Sequence, residues 1–276
     1  VKLEAVPNFS EGRDRAVMEA IARAMGDVVL DWSMDADHHR SVVTAAGEPG
    51  AVVAAAFRGA AKAVELIDLR RHHGVHPRVG AIDVLPFVPL TGEMPAAVEA
   101  ARQTGERIWQ ELKLPVFFYE EAARAEARRR LPDVRRLLKQ NPLAPPDIGD
   151  AGPHPTAGAV VIGARRLLIA YNVNLATADV AAAKAIAARL RLLPGVRALG
   201  LLLASQGVAQ VSMNLTDYHQ TGIAAAFQAV LQEAAALGLT VKDSELIGMA
   251  PPDALDTSLA ERVRLRDFHP GRILRW

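Results

Sequence analysis

Five of the eight histidines in this 276-residue chain fall in two short clusters. The first is Asp35-Ala36-Asp37-His38-His39-Arg40. The second runs from Arg70 and Arg71 through His72, His73, Gly74, Val75, His76 and Pro77 to Arg78. Imidazole titrates nearest neutrality of the unperturbed side chains, so such clusters are candidates for proton transfer or metal binding. A metal reading draws on His72, His73 and His76, completed by Asp35 and Asp37. Ligands at i and i+4 need a helix to share a face, and Gly74 with Pro77 disfavours one here. An acid–base reading asks for one histidine on a stiff loop beside a guanidinium. His76-Pro77-Arg78 supplies it: Pro77 fixes the backbone, and Arg78 can fork to a carboxylate. The plain structural reading, His76 as a turn residue bonded to backbone, stays open at this point.

Asparagines at strand ends form a second set. Asn8 follows an apolar start, Asn172 and Asn174 close one β-like stretch, and Asn214 closes another. Strand ends that feed loops are where a scaffold presents ligand groups, although asparagine also serves turns and caps. The stretch 124–139 carries seven basic residues (Arg124, Arg128, Arg129, Arg130, Arg135, Arg136 and Lys139) against Glu126 and Asp133. Its plain reading is a solvated, partly helical face; its sharper reading is a patch that draws in a polyanionic substrate tail. Five prolines and two glycines in the fifteen residues 141–155 exclude regular structure there. No nucleophile elbow, phosphate loop or dinucleotide fingerprint is present.

Alternating helices and short strands must position these groups. Half the residues are hydrophobic and 23% are charged, with 32 basic against 31 acidic side chains. That is the composition of a chain with a real core, and its balance argues against a general polyanion surface. Nucleic acid is therefore not an expected partner. The absence of cysteine excludes disulfides, thiol nucleophiles and thiolate metal sites. No leader or membrane-length apolar run is seen, so a cytoplasmic location is expected. Ser10 is expected to cap a helix over 13–25, with Val17, Met18, Ile21 and Met25 on one face. Strands are expected over 28–31, 41–45, 82–89 (interrupted by its prolines) and 116–119, and helices from Pro49 and Pro95. From Leu167 onward the pattern reads β-α-β-β-α-β, the split βαβ order, and the first half repeats it with added helix. The expected class is α+β, in two ferredoxin-like lobes, 1–166 and 167–276, with mixed or antiparallel sheets.

Taken in order, several longer motifs resemble the glutamate formiminotransferase family. They are Val6-Pro7-Asn8-Phe9-Ser10-Glu11-Gly12, then Asp35-x-Asp37-His38-x-Arg40-Ser41-Val42, Gly47-Glu48-Pro49 and His76-Pro77-Arg78-Val79-Gly80-Ala81-Ile82-Asp83. Further along come Gly158-Ala159, Tyr171-Asn172-Val173-Asn174-Leu175, Gln210-Val211-Ser212-Met213-Asn214-Leu215 and Ser244-Glu245-Leu246-Ile247-Gly248. The resemblance implies a folate-binding tunnel between two lobes and transfer of the formimino group from N-formiminoglutamate to N5 of tetrahydrofolate, releasing glutamate. It implies that His76 is the catalytic residue and that Gly149, Gly152, Pro153, His154, Pro155, Thr156, Ala157 and Gly158 form the folate-contacting loop. A carboxylate such as Asp35 or Asp37 would orient the cationic amidinium. Asn8, His38, Arg40, Arg78, Asn172, Asn174 and Asn214 would bind substrate, the arginines clamping carboxylates. Tetrahydrofolate would be a co-substrate; no metal is needed. A homodimer working in one-carbon metabolism and histidine degradation is expected. The competing readings are a metal-dependent hydrolase of a formimino or formyl amino acid, and a non-catalytic folate-binding protein.

Overall fold

The computed structural model describes residues 1–72 and 78–276. They divide into two compact units, Val1–Arg166 together with Trp276, and Leu167–Arg275. No helix among the described residues is long and apolar enough to cross a membrane.

The first unit opens with β1 (Lys2–Ala5) and β2 (Asn8–Phe9), one run broken at Val6-Pro7. Then come α1 (Arg15–Met25), β3 (Val29–Asp35), β4 (Arg40–Gly47), α2 (Pro49–Leu66) and β5 (Ile82–Thr91). Both β1 and β2 lie between β4 and β5, antiparallel to each, and β3 lies outside β4. This is a split βαβ sheet. The chain extends it through α3 (Met94–Leu112), β6 (Val116–Glu120), α4 (Leu131–Gln140) and β7 (Val160–Ala164). β7 lies between β5 and β6 and runs parallel to both, so the seven-stranded sheet is mixed.

Local sequence explains the ends. Asp14, not Ser10, caps α1, accepting from the Ala16 and Val17 amides. A carboxylate one residue before the helix satisfies two orphan amides at once. The Ser10 hydroxyl instead donates to the Gly80 carbonyl at 2.7 Å, tying the chain after β2 to the entry of β5. Met18, Ile21 and Met25 are buried as the helical spacing predicts, and pack with Phe9, Phe57, Ile82, Phe87 and Ile162 in the main core. Prolines do not interrupt β5. The Pro86 carbonyl accepts from Val6, so the amide it lacks faces the break between β1 and β2, where no ladder partner is forfeited. On the opposite face of the sheet, Val134 of α4 is buried among Val84, Phe117, Tyr119 and Val161.

The second unit follows the expected order: β8 (Ile169–Leu175), α5 (Val180–Leu190), β9 (Val196–Leu203), β10 (Val208–Leu215), α6 (Ile223–Ala236) and β11 (Val241–Ile247). Its sheet runs β11-β8-β10-β9, antiparallel throughout. Alternation is strict along β8. Tyr171, Val173 and Leu175 enter a core with Ile186, Val211 and Phe227, while Asn172 and Asn174 take the other face.

The loop before β7 is ordered. The His154 and Gly158 backbones exchange hydrogen bonds at 2.7 and 3.0 Å, and the Ala157 carbonyl accepts from Ala81. Gly80 and Gly158 form a backbone bridge. A Cβ on Gly80 would lie 1.8 Å from the Ala159 carbonyl oxygen, inside van der Waals contact with backbone that cannot rotate away. Gly80→Ala is expected to cost about 3 kcal/mol in urea denaturation, since overpacking here must move backbone. A loss below about 0.5 kcal/mol, the range of a neutral surface change, would contradict the close approach.

Candidate active site

The chemistry-bearing residues of the first unit collect where β2, β4, β5 and α4 meet. β4 places Arg40 in register with Asp35 of β3, and β2 sets Asn8 opposite Val42 and Val84. Asp83, second residue of β5, is fully buried. Arg40 Nη1 makes a short ion pair with Asp83 Oδ2, and Arg135 Nη2 of α4 reaches the same oxygen at 2.6 Å. The Val79 amide donates to Asp83 Oδ1 at 2.6 Å. Burial alone would push the Asp83 carboxyl up, but Arg40 and Arg135 with the Val79 amide hold it below its ordinary range. Arg40 Nε also donates to Asn8 Oδ1 at 3.2 Å, and Asn8 is fixed in turn by donating to the Val6 carbonyl.

A layer of histidines lies beside this group. Residues 36–39 form the turn of the β3–β4 hairpin, and His39 takes a left-handed backbone (φ 47°). Gly12 abuts that turn so closely that a Cβ would fall 2.1 Å from the Asp35 carbonyl oxygen. His39 Nε2 lies 3.1 Å from Glu11 Oε1, and its ring stacks on His72 with centroids 3.5 Å apart. Glu11 also accepts from the Gly12, Arg13 and Asp14 amides. Burial raises its carboxyl, yet those three bonds and His39 hold it below the usual value. Arg78 Nη1 lies against the His72 ring, 2.5 Å from Nδ1 and 2.7 Å from Nε2, and donates to the His39 carbonyl at 3.3 Å. Its other terminal nitrogen donates to the His38 carbonyl.

Asp35 is engaged within its own turn. Its Oδ1 takes the His38 amide at 2.7 Å and His38 Nδ1 at 2.9 Å. Burial raises this carboxyl, but His38 and the Asp37 amide bring it below its ordinary value. Asp37 is half-buried in the same turn. His73 and His76 lie outside the described residues. In the loop before β7, His154 Nδ1 accepts from the Ala157 amide at 3.1 Å, and the Ala157 side chain is fully buried in the main core. Gly149 and Gly152 take positive φ, and Pro153 and Pro155 are exposed. The Thr156 carbonyl accepts from Leu69. This loop is therefore backbone-bonded on both sides of the 73–77 stretch, through Leu69 before it and Gly80 after it. Among the described residues, no three His, Asp or Glu side chains gather as metal ligands.

The second unit carries a polar network of its own. Asn172 Nδ2 donates to Glu245 Oε2 at 3.4 Å, and Asn174 Nδ2 donates to Asp243 at 2.6 Å. Gln210, fully buried, donates to both Asn174 and Glu245, and Arg266 pairs with Glu245 at 2.9 Å. Asn214 stands apart and exposed, opposite Arg197.

Comparison with known proteins now bears on this geometry. The family described as the formiminotransferase domain, N-terminal subdomain, matches residues 2–165, and the formiminotransferase domain matches residues 170–261. The chain belongs to the formiminotransferase family. It is 40% identical to a glutamate formimidoyltransferase of Thermoplasma acidophilum, over 99% of this chain and 95% of that one. It is 39% identical to a glutamate formimidoyltransferase of Streptococcus pyogenes, over 96% and 94% respectively. Pig formimidoyltransferase-cyclodeaminase is 41% identical over 92% of this chain, which spans about half of that longer protein (51%). This formiminotransferase is thus a transferase by family.

Sequence spacing does not single out two groups that this formiminotransferase places centrally. Asp83 is the one charge inside the apolar stretch of β5, and a lone buried carboxylate calls for a partner. Arg135 is hidden in the basic run of 124–139, and only the packing of Val134 turns it toward β5. Glu4, 5% exposed on β1, is a further buried carboxyl; burial raises it to about 7 against the pull of Arg165.

His72 generates a direct test. Burial first, then Arg78 and His39, lowers its pKa from 6.5 to about 4. The folded state then binds fewer protons than the unfolded chain, so stability present above pH 6.5 is lost as pH falls toward 4. Two-dimensional NMR should show the His72 ring titrating with a midpoint near 4. A midpoint near 6.5 would contradict the packing of Arg78 against it.

Proposed function

We propose that this chain transfers the formimino group of N-formiminoglutamate to N5 of tetrahydrofolate and releases glutamate. The observation that carries the reading is near-full-length similarity to two glutamate formimidoyltransferases, 95% and 94% of whose lengths are matched. The cationic cluster of Arg40, Arg78 and Arg135 supports it, because both substrates bear carboxylates. Tetrahydrofolate acts as co-substrate, and no metal takes part.

His76 serves as the general acid–base group. Nitrogen N5 attacks the formimino carbon and forms the new C–N bond, while His76 takes the N5 proton. The protonated imidazole then returns a proton to the glutamate nitrogen, and the old C–N bond breaks with its electron pair leaving on glutamate. Asp35 and Asp37 orient the cationic amidinium. Asn8 and His38 bind substrate, as do Asn172, Asn174 and Asn214. Residues 149–158 hold the folate. The tie between Gly80 and Gly158 supports that pairing of loop and histidine, since it holds the 149–158 loop to the chain that follows His76. The working protein is a cytoplasmic homodimer of one-carbon metabolism and histidine degradation.

Purified chain mixed with N-formiminoglutamate and tetrahydrofolate should release glutamate only when both are present, and chelator treatment should leave the rate unchanged. His76→Ala should lower kcat by roughly 10²–10⁴-fold with folate affinity retained. Release without folate would identify a hydrolase instead, and folate binding without release a carrier. Wild-type kcat in His76→Ala would remove the acid–base assignment.

A further inference from the structure

Arg135 differs from its neighbours in the basic run. Arg128 pairs with Asp147 at 3.1 Å, Arg129 with Glu121 and Glu126, and Arg136 with Asp133. Arg124 donates to the Asp147 carbonyl. These contacts fix α4 and its flanking loops. Arg135 instead reaches into the sheet, to the Asp83 oxygen that Arg40 already holds. One carboxylate thus faces two guanidiniums in a largely buried place, with side-chain exposures of 0% for Asp83, 13% for Arg40 and 19% for Arg135. A positive charge is left over. The Nε of Arg135 is buried and has no hydrogen-bond partner among the described residues. A buried donor without a partner is costly, and it signals an acceptor that arrives with a ligand.

We infer that Arg135 is a specificity-determining residue: with Arg40 it seats the side-chain carboxylate of an acidic N-formimino amino acid. The inference rests on the reaction proposed above and names how that reaction selects its donor. Such a donor carries two carboxylates, one on the carbon bearing the reacting nitrogen and one farther out. Arg78, two residues beyond His76 in the chain, suits the inner carboxylate; the paired seats at Asp83 suit the outer one. A planar fork is required, since a carboxylate is best held by two parallel N–H bonds.

The test compares N-formiminoglutamate with N-formiminoglutamine, which keeps shape but loses the outer charge. Arg135→Gln should raise KM for the glutamate donor at least about tenfold, leave kcat within about threefold, and leave KM for the glutamine donor nearly unchanged. Arg135→Lys should recover part of the loss, and the exposed Arg136→Gln should change neither donor. Equal effects on both donors, or none, would overturn the inference. Glutamate binding by calorimetry, without folate, separates this from the reaction itself. Binding that Arg135→Gln abolishes supports the seat even if no transfer occurs; no glutamate binding to the wild type overturns it. Should the Gln variant fail to fold, Arg135→Lys decides, with a smaller KM rise for the glutamate donor only expected and an unchanged KM contradicting.

Discussion

A single buried carboxylate organises the first unit. Asp83 has no exposed surface, yet it stays ionised because Arg40, Arg135 and the Val79 amide converge on it. Each partner comes from a different part of the chain: the β3–β4 hairpin, helix α4 and the strand entry that follows His76. Removing either guanidinium from a buried pair costs about 3–5 kcal/mol, because the other charge is left without compensation. The position of α4 over the sheet, the start of β5 and the direction of Arg40 are therefore coupled. Asn8 extends the coupling to β2, since it holds Arg40 and is held by Val6.

Around that anchor the unit uses close backbone approach in place of side-chain packing. Gly12 lets the chain after β2 lie on the β3–β4 turn, and Gly80 with Gly158 locks the loop before β7 onto the entry of β5. Those contacts align the His39–His72 stack with Arg78. The lowered pKa of His72 follows from the same crowding: burial first, and then the repulsion a second cation would meet beside Arg78. The second unit solves a related problem differently. One face of its sheet carries amides and carboxylates that bond one another, so Gln210 is buried with partners for its amide nitrogen.

Much of this was legible in the sequence. Helical spacing located α1, α2 and α3, and the β-α-β-β-α-β reading of the second half matches β8 through β11 in order and nearly in bounds. The β-like stretch that Asn172 and Asn174 are expected to close is β8. What the sequence hid was long-range. Ser10 has the right chemistry for a cap, but its hydroxyl is drawn 70 residues away to Gly80, and Asp14 takes its place. Pro86 looked like a breaker because the gap between β1 and β2 is visible only in the sheet. Arg135 sits among six other basic residues, and nothing local distinguishes the one whose helix neighbour Val134 turns it inward. The engagement of Asp35 by His38 within its own turn is likewise not visible in the spacing.

The most direct test of the central claim is the unfolding free energy and donor KM of Asp83→Asn, measured together. If Asp83 is the shared counter-ion, the variant keeps its shape but loses about 3–5 kcal/mol, and KM for N-formiminoglutamate shifts as Arg40 and Arg135 lose their common anchor. A variant within about 1 kcal/mol of wild type, the worth of an exposed pair, with unchanged KM would contradict it.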